Sequence, residues 1–357
     1  MLRLALLTLL FCASAFADDH LDTFLNTDVF ELEIAADPQI SPDGSQVVYV
    51  RNANDIMSDS TRANIWIVDA DGSNHRPLLS GADSYSSPRW APDGSRLAYV
   101  SSAEGRGPEL YVRWMDTGQT ALLSNLENSP RGLSWSPDGK SIAFSALVKG
   151  EGMTLATPLA KPKGANWAPG VTVTDQLNYR SDGRGYLDVG YTHVFVLPAD
   201  GGTPRQVTSG DYNHSGSLSW SPDGEEIVVS ANRNEDWQYR QQNSDLWSVN
   251  LTSGEMSQLT SRDGPDFAPA FSPDGSRIAY LGYDDERMGY HNTQVNILDV
   301  NSGEVSVLTD DLDRSVVSVN WSGSSSQLLI SYDDFGKRNL ASLDMEGNVS
   351  PLLSDMG

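Results

Sequence analysis

Residues of the types used in nucleophilic catalysis are present, but not in a pattern that supports it. A serine nucleophile of the α/β-hydrolase kind lies in Gly-x-Ser-x-Gly, because small residues permit the strained strand-to-helix turn. That pentapeptide does not occur in the 357 residues. His214, in the polar segment 211–215, is the most tempting of the five histidines, but a polar loop residue at the mouth of a blade is the favoured interpretation. We therefore expect no catalytic residue in this chain.

Metal-ligating side chains are also scattered. The five histidines lack the spacing of a metal site: His20, His75, His193, His214 and His291. Segment 69–74 superficially resembles a calcium loop, but it lacks the glutamate expected six residues after its glycine. The same segment coincides with a turn that recurs along the chain. We expect no metal and no other cofactor.

A turn motif repeats along the chain and indicates the elements around these residues. An apolar residue is followed by Ser/Ala-Pro-Asp-Gly and then by a strand-like run. Five complete copies begin at Ile40, Trp90, Trp135, Trp220 and Phe271. A sixth copy, at Trp321, has lost the Pro-Asp-Gly. Proline fixes φ and Asp-Gly tolerates positive φ, so each copy predicts a hairpin between antiparallel strands.

A second turn follows each first one and completes the repeat. It lies at a glycine that ends another strand-like run: Gly72, Gly118, Gly202, Gly254, Gly303 and Gly347. Two hairpins in about 50 residues are typical of a four-stranded propeller blade. Tryptophans at the shared repeat position are expected in blade cores, whereas Trp167 and Trp237 fall in variable loops. The sequence predicts an all-β propeller of six recognisable blades over residues 37–357.

One interval is longer than the others. Between Gly139 and Gly202, residues 148–166 offer no strand-turn-strand to close the preceding blade. A blade with a long insertion at about 148–190 is favoured over a degenerate extra blade, and long loops in compact folds tend to be functional. Before the first blade, residues 28–33 predict a short helix capped by Thr27 or Asp28, within an N-terminal lead over 18–36.

The N-terminus and the overall charge indicate where the protein acts. Arg3, an apolar run over residues 4–11 and small residues up to Ala17 predict a secretory signal, residues 1–17, cleaved after Ala17. The only cysteine, Cys12, lies within it. A formal charge of −24 repels nucleic acid, and no later stretch is apolar for long enough to span a membrane. We expect a secreted or periplasmic protein with neither nucleic-acid partner nor membrane span.

The turn series resembles the propeller repeats shared by the Tol-system periplasmic propeller protein and the prolyl oligopeptidase (S9) family of serine peptidases. Two segments favour the peptidases. Residues 28–44 are similar to that family's opening, and residues 177–188 followed by 192–196 are similar to the insertion blade of its acylaminoacyl-peptidase-like branch. The second match is the more specific, because generic propellers do not carry it.

The resemblance implies a propeller that caps a C-terminal α/β-hydrolase domain and limits access to short peptides. That family usually has seven blades, so the six blades are interpreted as an incomplete seven-bladed propeller. No position here matches a residue of the family's Ser-Asp-His triad. A fragment of a longer peptidase is favoured over a truncated relict or a natural stand-alone propeller.

Two functions follow from these interpretations. The first is the non-catalytic, substrate-gating part of a secreted serine exopeptidase, of acylaminoacyl-peptidase or dipeptidyl-peptidase type, with peptide substrates and a hydrolase domain as partners. In that case Arg180 and Arg184 could pair with a peptide carboxylate. The alternative for these two arginines is that they are surface charges on a hairpin. The second function is a periplasmic binding or scaffold propeller without chemistry.

Overall fold

The computed structural model describes residues 24–102, 107–157, 159–168 and 170–356. The predicted signal peptide and its cleavage site after Ala17 lie outside these residues. Within them the protein contains no α-helix, and its strands form six four-stranded antiparallel sheets and one two-stranded hairpin. The predicted all-β propeller of six blades is confirmed.

The first three blades contain the following strands. Blade 1 comprises β1 (Glu33–Ile40), β2 (Gln46–Asp55), β3 (Ser60–Asp69) and β4 (Arg76–Leu79). Blade 2 comprises β5 (Tyr85–Trp90), β6 (Arg96–Ser101), β7 (Glu109–Trp114) and β8 (Thr120–Leu122). Blade 3 comprises β9 (Arg131–Trp135), β10 (Ser141–Lys149), β13 (Gly190–Pro198) and β14 (Arg205–Gln206), with the hairpin of β11 (Arg180–Ser181) and β12 (Gly185–Tyr186) between its second and third strands.

The last three blades have no such hairpin. Blade 4 comprises β15 (His214–Trp220), β16 (Glu226–Ala231), β17 (Asp245–Asn250) and β18 (Met256–Gln258). Blade 5 comprises β19 (Asp266–Phe271), β20 (Arg277–Gly282), β21 (Gln294–Asp299) and β22 (Val305–Val307). Blade 6 comprises β23 (Val316–Trp321), β24 (Gln327–Asp334), β25 (Lys337–Asp344) and β26 (Val349–Met356).

The Ser-Pro-Asp-Gly turns join the first and second strands, as the sequence predicts. In blade 3 the Ser136 hydroxyl donates to Asp138 at 2.7 Å and accepts from the Ser141 amide at 2.9 Å. Gly139 has φ 67°, in the left-handed region that favours glycine. The Ser136 hydroxyl, followed by the Lys140 amide, lowers the pKa of Asp138 to about 2. The same serine-to-aspartate bond recurs in blades 1, 4 and 5.

The repeat tryptophans connect neighbouring blades. In four blades the indole Nε1 donates to the carbonyl of the residue that precedes the apolar motif residue of the previous blade. The bonds run from Trp90 to Gln39 (3.2 Å), Trp135 to Arg89 (3.0 Å), Trp220 to Ser134 (3.3 Å) and Trp321 to Ala270 (2.9 Å). These residues therefore do more than fill blade cores, because each one also sets the register between two first strands.

Burial separates the interior blades from the terminal ones. In β6, β10, β16 and β20 consecutive side chains are buried, since both faces of the sheet are covered. In β2 and β24 buried and half-buried residues alternate. Strand contacts join each blade to the next from blade 1 to blade 6, and among the described residues none of similar extent joins blade 6 to blade 1. One face of each terminal blade is therefore left without a covering blade.

The short helix expected over residues 28–33 before the first blade is shorter than predicted. Asp28–Phe30 forms a single 3-10 turn, and Glu33 already belongs to β1. Thr27 precedes the turn but makes no side-chain cap. The Asp28 carboxylate instead accepts from the Leu25 amide at 2.7 Å, outside the turn. The chain enters the first strand too soon for a full helical turn to propagate.

Candidate functional site

A cavity of about 1250 Å³ lies in the propeller channel. Its walls are the first strands of blades 1 to 4, β1, β5, β9 and β15. Segments 176–178 and 184–188 of the insertion also line it. First strands line the channel because they are the innermost strands of every blade.

The insertion leaves blade 3 through a tight stem. Strands β10 and β13 are paired up to Lys149 and Gly190, and the Gly150 amide continues the ladder to the Val189 carbonyl at 3.0 Å. Residues 150–189 therefore leave blade 3 at the end opposite the Ser-Pro-Asp-Gly turn and form the hairpin β11–β12 rather than a four-stranded blade.

Two contacts anchor the insertion over the cavity. The Leu177 amide donates to the Gln238 side-chain carbonyl at 2.9 Å, which ties the insertion to the long loop of blade 4. The Gln176 amide nitrogen donates to the Tyr191 hydroxyl at 3.2 Å. Tyr191 in turn packs edge-on against Trp237, with ring centroids 6.2 Å apart. The insertion is thus held against two neighbouring blades at one end of the channel.

The charged groups of the cavity are mostly cationic, although the chain as a whole is acidic. Arg89, Arg131 and Arg184 line it, and Asp188 is the one carboxylate among its lining residues. Arg89 is paired with Asp37 at 2.9 Å. The side chains of Arg131 and Arg184 are exposed and form no ion pair or hydrogen bond within the described ranges.

The structure separates the two arginines singled out from the sequence. Arg184 faces the cavity, whereas Arg180, four residues earlier, is exposed and lies outside the lining. Of the two loop tryptophans, Trp237 lines the cavity and Trp167 does not. Sequence reasoning missed Arg131, although its place at the start of a first strand marks it as a channel residue once the blades are assigned.

His214 is not the polar loop residue that the sequence suggested. It is the first residue of β15 and is fully buried, and Arg233 donates a hydrogen bond to its Nε2 at 2.7 Å. Burial, followed by the Arg233 charge and the neighbouring His193, lowers the pKa of His214 to about 4. The neutral ring is an acceptor in the wall beside the cavity, and it does not line the cavity itself.

Two buried carboxylates lie near each other where blades 4 and 5 meet. They were not expected from the sequence. Asp245 begins β17 and Asp266 begins β19, and both are almost completely buried. Burial, followed by the charge of Asp266, raises the pKa of Asp245 to about 6. Arg262 forms an ion pair with Asp266 at 2.6 Å and compensates part of this charge. The described residues contain no group of three or more His, Cys, Asp or Glu side chains placed to hold a metal.

No helix of the described ranges has the length and hydropathy needed to cross a bilayer.

Protein-family models match most of the chain. Residues 44–245 match the TolB β-propeller domain, and residues 165–335 match the N-terminal β-propeller domain of acylaminoacyl-peptidase. The second match includes the hairpin and Arg184, in agreement with the resemblance stated from the sequence.

Individual relatives include members of the same two groups. Dipeptidyl-peptidase 5 of Porphyromonas gingivalis is 28% identical over 301 residues, which are 80% of this chain and 42% of that protein. The Tol-Pal system protein TolB of Aromatoleum aromaticum is 40% identical over 74 residues, 21% of this chain and 17% of that protein. The structure of Pyrococcus horikoshii acylaminoacyl peptidase superimposes with a TM-score of 0.69 at 19% identity, covering 92% of this chain and 47% of that one.

The chain spans less than half the length of the peptidases that it matches, and the matched part is their propeller. The described residues form the six blades and the β11–β12 hairpin and include no hydrolase domain. The chain therefore belongs to the TolB β-propeller family, and its propeller is of the kind that forms the N-terminal domain of acylaminoacyl-peptidase-type serine peptidases.

Proposed function

We propose that this propeller is the non-catalytic, substrate-gating portion of a secreted serine exopeptidase that acts on short peptides. The observation that carries the proposal is the channel cavity, over one end of which the 150–189 insertion is anchored. The similarity to dipeptidyl-peptidase 5 and to acylaminoacyl peptidase over the propeller supports it.

Gating in this arrangement is steric. A cavity of about 1250 Å³ is somewhat larger than a typical small-molecule site and admits a peptide of a few residues. A folded domain is too large to enter. The insertion narrows the opening further, because its hairpin is held to blade 4 through Leu177 and Gln238.

The chemistry has to come from a separate α/β-hydrolase domain. Acyl transfer by a serine peptidase requires a nucleophile, a base that activates it and an oxyanion hole. The chain offers no Gly-x-Ser-x-Gly segment, and His214 is buried and neutral. Purified residues 18–357 should therefore hydrolyse neither aminoacyl nor acyl-aminoacyl chromogenic substrates. Fluorophosphonate labelling of a specific serine in this chain would contradict that.

The test begins with the DNA downstream of the codon for Gly357, where we expect an open frame encoding a seventh blade and Gly-x-Ser-x-Gly. The complete protein is then compared with a variant in which a short glycine linker replaces residues 150–189. The variant should cleave unfolded polypeptides faster relative to tripeptides, since the opening is wider. Unchanged size selectivity in a well-folded variant would refute gating by the insertion.

The second candidate is a periplasmic propeller that binds or scaffolds other proteins. The match of residues 44–245 to the TolB propeller domain favours it. A stop codon immediately after Gly357, together with a monomeric and cooperatively folded product, would support this function over the first.

A further inference from the structure

The charged residues that line the channel cavity are mostly cationic, whereas the molecule as a whole is acidic. The chain has 48 acidic and 24 basic residues. The cavity nevertheless presents three arginines and one aspartate. Electrostatic potential in a concave site is dominated by the charges that line it, so this channel attracts anions although the outer surface repels them.

One of the three arginines is already neutralised. Arg89 contacts both carboxylate oxygens of Asp37, at 3.0 and 2.9 Å, and also donates to the Pro88 carbonyl at 2.6 Å. These bonds fix its guanidinium within the wall between blades 1 and 2. Arg89 therefore contributes structure rather than a free cation.

The guanidinium N–H groups of the other two arginines are available to a ligand. Within the described residues, neither the Arg131 nor the Arg184 side chain forms an ion pair or a hydrogen bond. They come from different elements: Arg131 begins β9, and Arg184 lies in the turn between β11 and β12. The wall strand and the insertion thus each supply one cation to the same cavity.

Aromatic and apolar surface lies beside these cations. Trp237 and Leu187 line the same cavity, and the edge contact with Tyr191 orients the Trp237 ring. Asp188, next to Leu187 in sequence, is also in the lining. Its negative charge disfavours a multiply charged phosphate more than a single carboxylate. A ligand with one carboxylate next to an apolar side chain fits this set of groups.

From this arrangement we infer that Arg131 and Arg184 bind the C-terminal carboxylate of a short peptide in the channel, with the last side chain against Trp237. The inference rests on the proposed function, because it names the feature by which the gate recognises its peptides. Guanidinium groups bind carboxylates through charge-assisted hydrogen bonds, which are stronger than neutral ones. Such binding favours peptides short enough for their free end to reach the insertion.

The experiment measures binding rather than hydrolysis, so its outcome does not depend on the hydrolase domain. Dansyl-Gly-Ala-Ala-Leu with a free carboxylate and the same peptide as its C-terminal amide are titrated into mature protein, with fluorescence anisotropy as the readout. We expect the free acid to bind at least about 10-fold more tightly at low salt, with the difference shrinking as salt is added.

Arg131→Gln and Arg184→Gln should each remove most of the preference for the free acid. Arg180→Gln is the matched control, since it removes an equal charge from the same hairpin outside the cavity. Thermal unfolding of each variant identifies any loss of fold. Equal binding of acid and amide, or an equal loss in the Arg180 variant, would overturn the inference. Either result leaves gating by size, tested separately with the insertion deletion, unaffected.

Discussion

At the scale of single residues, each repeat tryptophan packs in its blade and also donates a hydrogen bond to the previous blade. The same indole bond to the preceding blade occurs in blades 2, 3, 4 and 6. Blade 5 has Phe271 at this position, and there the Phe271 amide donates to the Ser219 hydroxyl at 2.9 Å instead. An inter-blade hydrogen bond is therefore retained even where the indole is absent.

Trp321→Phe tests the contribution of this bond. The substitution removes the donor to the Ala270 carbonyl and leaves an aromatic ring in place. We expect the free energy of unfolding to fall by about 1–2 kcal/mol, from the lost hydrogen bond and a small cavity. Urea denaturation measures it. Trp114→Phe is the control, because the Trp114 indole makes no such bond, and an equal loss there would contradict the assignment.

The buried His214 makes stability depend on pH. Its pKa in the folded protein, about 4, lies below the ordinary value of 6.5 because of burial, Arg233 and His193. The unfolded chain therefore binds more protons in this range, so the contribution is complete above pH 6.5 and is lost as the pH falls towards 4. The loss amounts to about 3 kcal/mol.

His214→Gln provides the measurement, because glutamine retains an acceptor for Arg233 and does not titrate. Unfolding free energies of the variant and the native protein should converge as the pH falls from 7 to 4. The raised pKa of Asp245 acts in the opposite direction in both proteins and cancels in the difference. Parallel curves for the two proteins would show that His214 does not titrate as described.

At the scale of elements, the insertion depends on the geometry of its stem. Gly190 has φ 138°, and a Cβ there would collide with the Val148 carbonyl oxygen. Across the stem, a Cβ at Gly150 would meet its nearest neighbour at 3.6 Å, an ordinary contact. Two glycines at one stem thus differ sharply in their tolerance of a side chain.

Gly190→Ala should lower the free energy of unfolding by about 2 kcal/mol or more, since both the backbone conformation and the space exclude a methyl group. It should also increase proteolysis within residues 150–189, because the stem is where the insertion is attached. Gly150→Ala, the matched control, should change stability by less than about 0.5 kcal/mol. Similar effects of the two substitutions would refute this description of the stem.

At the scale of the whole molecule, two blade faces have no covering blade among the described residues. On blade 1, Ile40 is 69% exposed, and Trp66 on the same face is covered in part by the Arg51 guanidinium, 4.3 Å from its ring centroid. On blade 6, Leu353 is 49% exposed and lies beside the half-buried Leu340. Uncovered apolar faces and sheet edges promote association.

Residues 18–357 alone should therefore be oligomeric or prone to aggregation, and the addition of a seventh blade should make them monomeric. Size-exclusion chromatography with light scattering measures the molecular mass. Ile40→Lys, which places a charge on the free face of blade 1, should shift the population towards monomer. A stable and cooperative monomer of the native sequence would instead indicate a closed six-bladed ring and favour the binding protein.

Repetition explains how much of the fold could be predicted. The Pro-Asp-Gly turns fix their hairpins through local bonds, such as those between Ser136, Asp138 and Ser141, and six similar repeats leave little freedom in strand order. The length and the cap of the helix before β1 were predicted less well. There an acidic residue after a threonine suggested a cap, but the chain forms only one 3-10 turn.

The candidate site was predictable only in part. Arg184 was found because it lies in a segment that breaks the repeat, whereas Arg131 was missed because it looks like an ordinary strand residue. The sequence also grouped Arg180 with Arg184, because no local signal tells which of two hairpin arginines faces the channel. Spacing along the chain carries no information on which blades meet at a cavity.

The sequence by itself determined the blades, their turns and the absence of a Gly-x-Ser-x-Gly nucleophile, because turn chemistry and short motifs act between residues close in the chain. Tertiary structure decided which groups share the channel, which histidine is buried and which blade faces stay uncovered. Those properties depend on the packing of strands far apart in sequence, such as β9 against β15 and the insertion against the loop at Gln238. Long-range packing of this kind fixes burial and charge proximity only once the whole sheet assembly has formed.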